Sequence, residues 1–157
     1  MENRVNIEQT DPRAYKAMYG LEGYLATTHL TPTQKDLIKI RASQINRCAF
    51  CIDMHTKEAI GHGESLQRLF LLDAWRETNL FTEEEKAILA ITEEVTLIAN
   101  HGISDETYTK AASFFDANFI AQVIMAVVTI NAWNRIAVST NLGFTLTPSV
   151  VLEEERA

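Results

Sequence analysis

A single-domain, all-α fold of about seven helices is expected for this chain, on three observations. Apolar residues recur at three- and four-residue spacing, and no segment alternates with period two. Six glycines and three prolines in 157 residues make turns scarce and regular elements long. Helix-start signals recur at Asp11-Pro12, Thr31-Pro32-Thr33-Gln34 and Thr82-Glu83-Glu84-Glu85. With 46% hydrophobic and 22% charged residues, the chain has the balance of an ordinary globular domain that buries a real core. It shows no internal repeat, low-complexity segment or linker, so residues 1–157 are expected to form one domain.

In chain order, residues 1–10 are polar and read as an arm. Asp11 reads as an N-cap and Pro12 as the first residue of a helix that carries Tyr15, Met18, Tyr19 and Leu21 to about Ala26. The capping box at Thr31 opens a second helix, with Leu37, Ile38, Ile40 and Ile45 on its apolar side. Asn46 reads as a break that caps the next helix, which places Cys48 at its second position and Cys51 one turn further in. Gly61 and Gly63 stop that helix. Leu66, Leu69, Phe70 and Leu72 suggest a short helix from Glu64 to Trp75. Thr82 opens a helix through Ala87, Ile88, Ile91, Val95 and Ile98, ended by Asn100-His101-Gly102, and Ser104 caps another. The last helix runs from about Asn118 to Thr140 and is apolar around most of its circumference. Such a helix is either central or covered by a second subunit. Pro148 and Glu153-Glu154-Glu155 read as a frayed tail.

The formal net charge of -7 argues against general nucleic-acid binding and against attraction to anionic membranes. The N-terminus has no apolar signal-peptide core, and the longest apolar run, Val123 to Val128, is far too short to span a bilayer. A cytoplasmic protein is the expectation.

Chemistry concentrates in Arg47-Cys48-Ala49-Phe50-Cys51-Ile52-Asp53-Met54-His55, which holds both cysteines of the chain. On a helix Cys48, Cys51 and His55 share one face, and Cys51 and His55 are direct i,i+4 neighbours. A disulfide across so short a loop constrains the unfolded chain little, so the spacing suits reversible chemistry. The attacking species would be a thiolate, and the free thiol pKa of about 8.5 must be lowered to form it. A helix N-terminus would act mainly on Cys48, and His55 would act on Cys51. Position alone leaves open which cysteine attacks. A histidine base needs a partner to orient it. In one continuous helix Asp36 would lie about 18 Å from Cys48, at roughly 1.5 Å per residue. If the chain reverses near Asn46, Asp36 instead faces His55 across a helical hairpin. Glu58, three residues after His55, is the rival, and its bland reading is a solvated surface carboxylate.

The stretch Asp36 to Ala59, with Ser43-Gln44-Ile45-Asn46 before Cys-x-x-Cys-x-x-x-His, closely resembles the core of the alkyl hydroperoxidase D-like family. That family lies within the carboxymuconolactone decarboxylase-like superfamily. Leu71 to Glu77 and Ala132 to Ala137 also resemble its small single-domain members. The match covers about residues 30–100, the redox core, with a second island near 130–138. The resemblance implies an all-helical fold that assembles into homo-oligomers, and a dithiol peroxidase that reduces hydroperoxides in antioxidant defence. It implies re-reduction by an external dithiol partner, a lipoyl-bearing protein in the best-known member. Carried over by position, Cys51 is the peroxidatic cysteine, Cys48 the resolving one, and His55 part of the proton relay. The sequence departs from the family at two points. Asp36 stands where the family often has Glu, twelve residues before the first cysteine, and Phe50 stands where the best-known member has histidine. The shorter aspartate implies a longer or water-bridged hydrogen bond.

Other readings stand beside this one. Cys48, Cys51 and His55, with His62 or a water, could supply zinc ligands, although one Cys-x-x-Cys without a second pair is weak support. A redox-sensing or binding oligomer without turnover needs only slow oxidation and a shape change. A decarboxylase or lactone ring-opening enzyme, suggested by the superfamily name, has no use for paired thiols. No cofactor and no resident metal are expected. His29, His62 and His101 read as caps or surface residues, Trp133, Asn134 and Arg135 as polar anchors, and Phe50, Met54, Phe70 and Trp75 as core.

Overall fold

Two fully buried helix faces organise the core, and both lie on α3 of a computed structural model that describes residues 4–143. Among the described residues there are eight α-helices and no strand: α1 Ile7–Thr10, α2 Pro12–Ala26, α3 Pro32–Ile45, α4 Ala49–Gly61, α5 Leu66–Leu71, α6 Glu83–Thr96, α7 Asp105–Ala112 and α8 Ala117–Thr140. A 3₁₀ segment, Leu72–Glu77, follows α5 and kinks at Ala74. The expected tail at Pro148 and Glu153–Glu155 lies outside the described residues.

Ile38 and Ala42 of α3 enter a core with Ile88 and Ile91 of α6 and Val123, Val127 and Ile130 of α8. Leu37 and Ile40, on the other side of α3, enter a second core with Leu69, Leu72, Trp75, Phe81 and Leu89. Helix α3 thus packs on α4, α6 and α8 together. Within one chain α8 is not buried all round, so the central-helix alternative is corrected. Its buried stripe is Ile120, Val123, Val127, Ile130, Asn134 and Ala137, while Val128 and Val138 are 42% and 51% exposed. By length and composition alone α8 could cross a membrane, and half of its apolar window is buried inside the protein.

Local signals place most helix starts. Thr31 and Thr82 both form complete capping boxes, with Gln34 and Glu85 respectively. Ser104 caps α7 and Asp116 caps α8. Gly63 and Gly102 take φ of 92° and 74° after α4 and before α7, where a side chain would be strained. The N-terminal arm is a correction: residues 7–10 form α1, capped by Asn6, and the Arg4 N–H donates to the Thr140 carbonyl at 3.0 Å. Between α5 and α6, Arg68 joins Glu64 at 2.9 Å to Glu85 at 2.7 Å.

The turn between α3 and α4 also departs from expectation. Asn46 is the C-cap of α3, Arg47 is left-handed with φ 55°, and Cys48 is the N-cap of α4. Asn46 cannot cap α4 because its side chain is turned to α8. Its Nδ2 donates to Asn131 Oδ1 at 3.0 Å and to Asn134 Oδ1 at 2.8 Å. Asn134 Nδ2 in turn donates to Ser43 Oγ at 3.0 Å. Among the described residues no buried side-chain nitrogen or oxygen lacks a partner.

Asn134→Ala removes an acceptor from Asn46 and a donor from Ser43 in the interior, and is expected to cost roughly 1–3 kcal/mol. Val138→Ala, on the exposed side of the same helix, is expected to stay within about 0.5 kcal/mol of wild type. Urea unfolding at unchanged m-value reads both.

Candidate active site

Helix α4 opens on the dithiol. Cys48 is its N-cap and Cys51 lies in its first turn, with Cα atoms 5.4 Å apart and the sulfurs at disulfide-bonding distance. The Cys51 backbone N–H points at Cys48 Sγ, at 3.3 Å. The two-residue shift of the helix start therefore puts both cysteines at the positive end of α4. The helix end no longer distinguishes them, as the sequence reading had expected. Access does. Both are buried, at 1% and 2% exposure, but Cys51 lines a cavity of about 280 Å³ and Cys48 is not among the lining residues. Ala137 of α8, with Phe50 and Leu142, packs against the pair.

His55 lies one turn after Cys51, is buried and lines the same cavity. Its Nδ1 is 2.7 Å from Glu58 Oε2. A carboxylate only accepts, so Nδ1 carries the hydrogen and Nε2 is left as the basic nitrogen. Burial holds the imidazole below its ordinary pKa, and the hydrogen bond it donates to Glu58 opposes that effect without overcoming it.

The expected pairing of Asp36 with His55 is corrected. Asp36 is buried, but its Oδ2 is 2.6 Å from Nδ1 of His62, at the far end of α4. The added turn residues Arg47 and Cys48 explain the miss. Moving the centre of the turn past Asn46 shifts the facing partner twice as far along the returning helix, toward the end of α4. Glu58 holds His55, and Asp36 ties the start of α3 to the end of α4. His62, spent on Asp36, is not positioned as a fourth ligand beside Cys48 and Cys51. Among the described residues no three His, Cys, Asp or Glu side chains converge as metal ligands.

The rest of the cavity comes from residues to which the sequence assigns no part in a site. Tyr15, Tyr19 and Glu22 project from one face of α2, Lys39 from α3, and Trp133 from α8. Tyr15 meets the Trp133 ring edge-on at 5.2 Å between centroids, and Tyr19 lies at 5.8 Å. Trp133 Nε1 donates to Glu22 Oε1 at 2.9 Å, and Lys39 Nζ lies 3.5 Å from Glu22 Oε2. Phe50 and Met54, read as core, are cavity residues. The three anchors expected on α8 separate: Asn134 is a buried anchor, Arg135 donates to the Asn131 carbonyl, and Trp133 belongs to the cavity wall. The spacing of Tyr15, Tyr19 and Glu22 on a helix with few core residues was the available signal.

Residues 12–94 match the carboxymuconolactone decarboxylase family. The uncharacterized protein YdfG of Bacillus subtilis (strain 168) is 39% identical over 139 residues, covering 88% of this chain and 95% of its own. A crystal structure from Agrobacterium tumefaciens, of the protein of unknown function ATU0492, described as a candidate antioxidant defence protein AhpD, superposes with a TM-score of 0.90 at 38% identity. It covers 93% of this chain and 100% of its own. An uncharacterized peroxidase-related protein with an alkylhydroperoxidase AhpD core, from Ralstonia eutropha JMP134, has a TM-score of 0.76 at 14% identity over 88% of this chain and 74% of its own, a likeness of fold.

The depressed pKa of His55 carries a stability prediction. Below the ordinary histidine value of about 6.5 the unfolded chain binds a proton that the folded chain refuses, so stability rises with pH across that window and falls as pH drops through it. Melting temperature is expected to fall more for wild type than for His55→Gln when pH goes from about 7.5 to about 5.5. Parallel curves would mean that His55 is not held neutral.

Proposed function

The chain belongs to the carboxymuconolactone decarboxylase family, on its alkyl hydroperoxidase D-like side, and from that we propose that it is a thiol peroxidase that reduces organic hydroperoxides. The observation that carries this reading is the placement of Cys48 and Cys51 at one helix end with His55 one turn further on, and with Cys51 and His55 both lining a cavity. Decarboxylation gives a reversible dithiol nothing to do.

In the reduced protein, His55 Nε2 takes the proton of the Cys51 thiol. The thiolate attacks the distal oxygen of the hydroperoxide and the O–O bond breaks. The alkoxide leaves with the electron pair and takes the proton back from His55 as an alcohol. Cys51 is now a sulfenic acid. Cys48 attacks Cys51 Sγ, hydroxide leaves and picks up the Cys48 proton as water, and the disulfide closes. An external dithiol then attacks Cys51 Sγ, the sulfur that faces the cavity. Cys48 leaves as a thiolate at the N-cap, where the Cys51 N–H receives it. The second thiol of the reductant releases the mixed disulfide. Cys51 is reached only through the cavity, which suits a slender reductant such as a lipoyl arm. A compartment that keeps such dithiols reduced, the cytoplasm, fits this cycle. Self-association would cover the apolar groove lined by Ile98, Ile103, Ile124 and Val128.

Thiol titration before and after one equivalent of cumene hydroperoxide tests the assignment. Wild type is expected to lose two thiols and regain them with dihydrolipoamide. Cys48→Ser traps a sulfenic acid, and Cys51→Ser does not react. Full thiol-dependent peroxide consumption by Cys51→Ser would overturn the reading. Among the carboxylates, Glu58→Gln is expected to slow the first step about 10–100-fold, the usual effect of losing a histidine's orienting partner. Asp36→Asn should act on stability more than on that rate, because Asp36 touches His62.

A further inference from the structure

The reacting residues occupy one wall of the cavity. Another part of the lining, from α2 and α8, supplies neither the thiols nor the base of the redox steps. Helix α2 has only Leu25 buried, yet it holds Tyr15, Tyr19 and Glu22 against the cavity. Three contacts fix that wall: Tyr15 edge-on to Trp133, Tyr19 tilted against the same ring, and the Trp133 indole on Glu22. An aromatic group presents the same complementary faces and edges to such rings.

The charges around the cavity do not balance. Lys39 is the one cation among its lining residues, and it is committed to Glu22. Glu58 adds a second carboxylate, held by a histidine that burial keeps neutral. Among the described residues one negative charge is thus left over, and no cation lining the cavity is free to receive an anion. The volume of about 280 Å³ lies at the small end of ligand sites and has room for one ring with a short substituent.

We infer that the wall formed by Tyr15, Tyr19 and Trp133 selects hydroperoxides whose organic group is uncharged and aromatic, and that Glu22 turns away substrates carrying a carboxylate. The inference rests on the peroxidase reading for the reaction itself. The ring lies against Trp133 and the tyrosines, the hydroperoxide end lies toward Cys51, and Lys39 keeps Glu22 from closing on the ring space.

Binding without turnover tests this separately from the peroxidase reading. In Cys51→Ser, tryptophan fluorescence is titrated with 2-phenyl-2-propanol, uncharged, and with 4-isopropylbenzoate, an anion of similar size. Trp75→Phe leaves Trp133 as the sole reporter. The alcohol is expected to bind at least about tenfold more tightly, a difference of about 1.4 kcal/mol. Glu22→Gln should narrow that ratio, and Lys39→Met, which leaves Glu22 uncompensated, should widen it. Equal affinities, no binding of either probe, or both substitutions moving the ratio in the same direction would overturn the inference. A thiol titration that still shows the two-thiol cycle would then leave the peroxidase reading standing.

Discussion

The bonds from the Asn46 amide to Asn131 and Asn134 decide more of this structure than any other contact. They dock the end of α3 on α8 and take away the side chain that would have begun α4. The next residue becomes left-handed, and the helix starts at Cys48, with sulfur as its cap. From that one displacement follow the place of both cysteines at the helix end, the facing of Cys51 to the cavity, and the pairing of Asp36 with His62. Asn134 is almost fully buried, so the network is intolerant of an unmatched partner.

Two forces then act on the site in opposite senses. Burial among apolar and aromatic side chains favours neutral groups, and it keeps His55 in its basic, uncharged form. The end of α4 favours negative charge and supports a thiolate. A neutral imidazole one turn from a sulfur at a helix end suits the proton transfer of the proposed peroxidase cycle. Glu58, itself about half exposed, steadies the imidazole from the solvent side.

Features with local causes were legible in the sequence. The boxes at Thr31 and Thr82, the cap at Ser104 and the stop at Gly63 depend on residues within one turn of each other, whereas α6 ends at Thr96, short of the stop expected at Asn100-His101-Gly102. The alignment of Cys51 with His55 depends only on helical period. What could not be read depends on partners far away in the chain. Asn46 looks like a cap until α8 is placed against it. Asp36 looks level with His55 until the turn has its full length. Glu22 and Trp133, 111 residues apart, give no sign of meeting. An apolar circumference on α8 does not say which side stays exposed, because composition carries no direction.

The shallow seating of α2 has a bearing on how such a protein changes over generations. A helix with one residue in the core can exchange its other side chains with little effect on folding. The dithiol hairpin has no such latitude, since its register is set by buried amides. Packing therefore holds the dithiol hairpin in place, while the α2 face of the cavity is freer to vary. Chains built on this plan can inherit one chemistry and diverge in diet, and likeness around the cysteines is a guide to the reaction rather than to what is consumed.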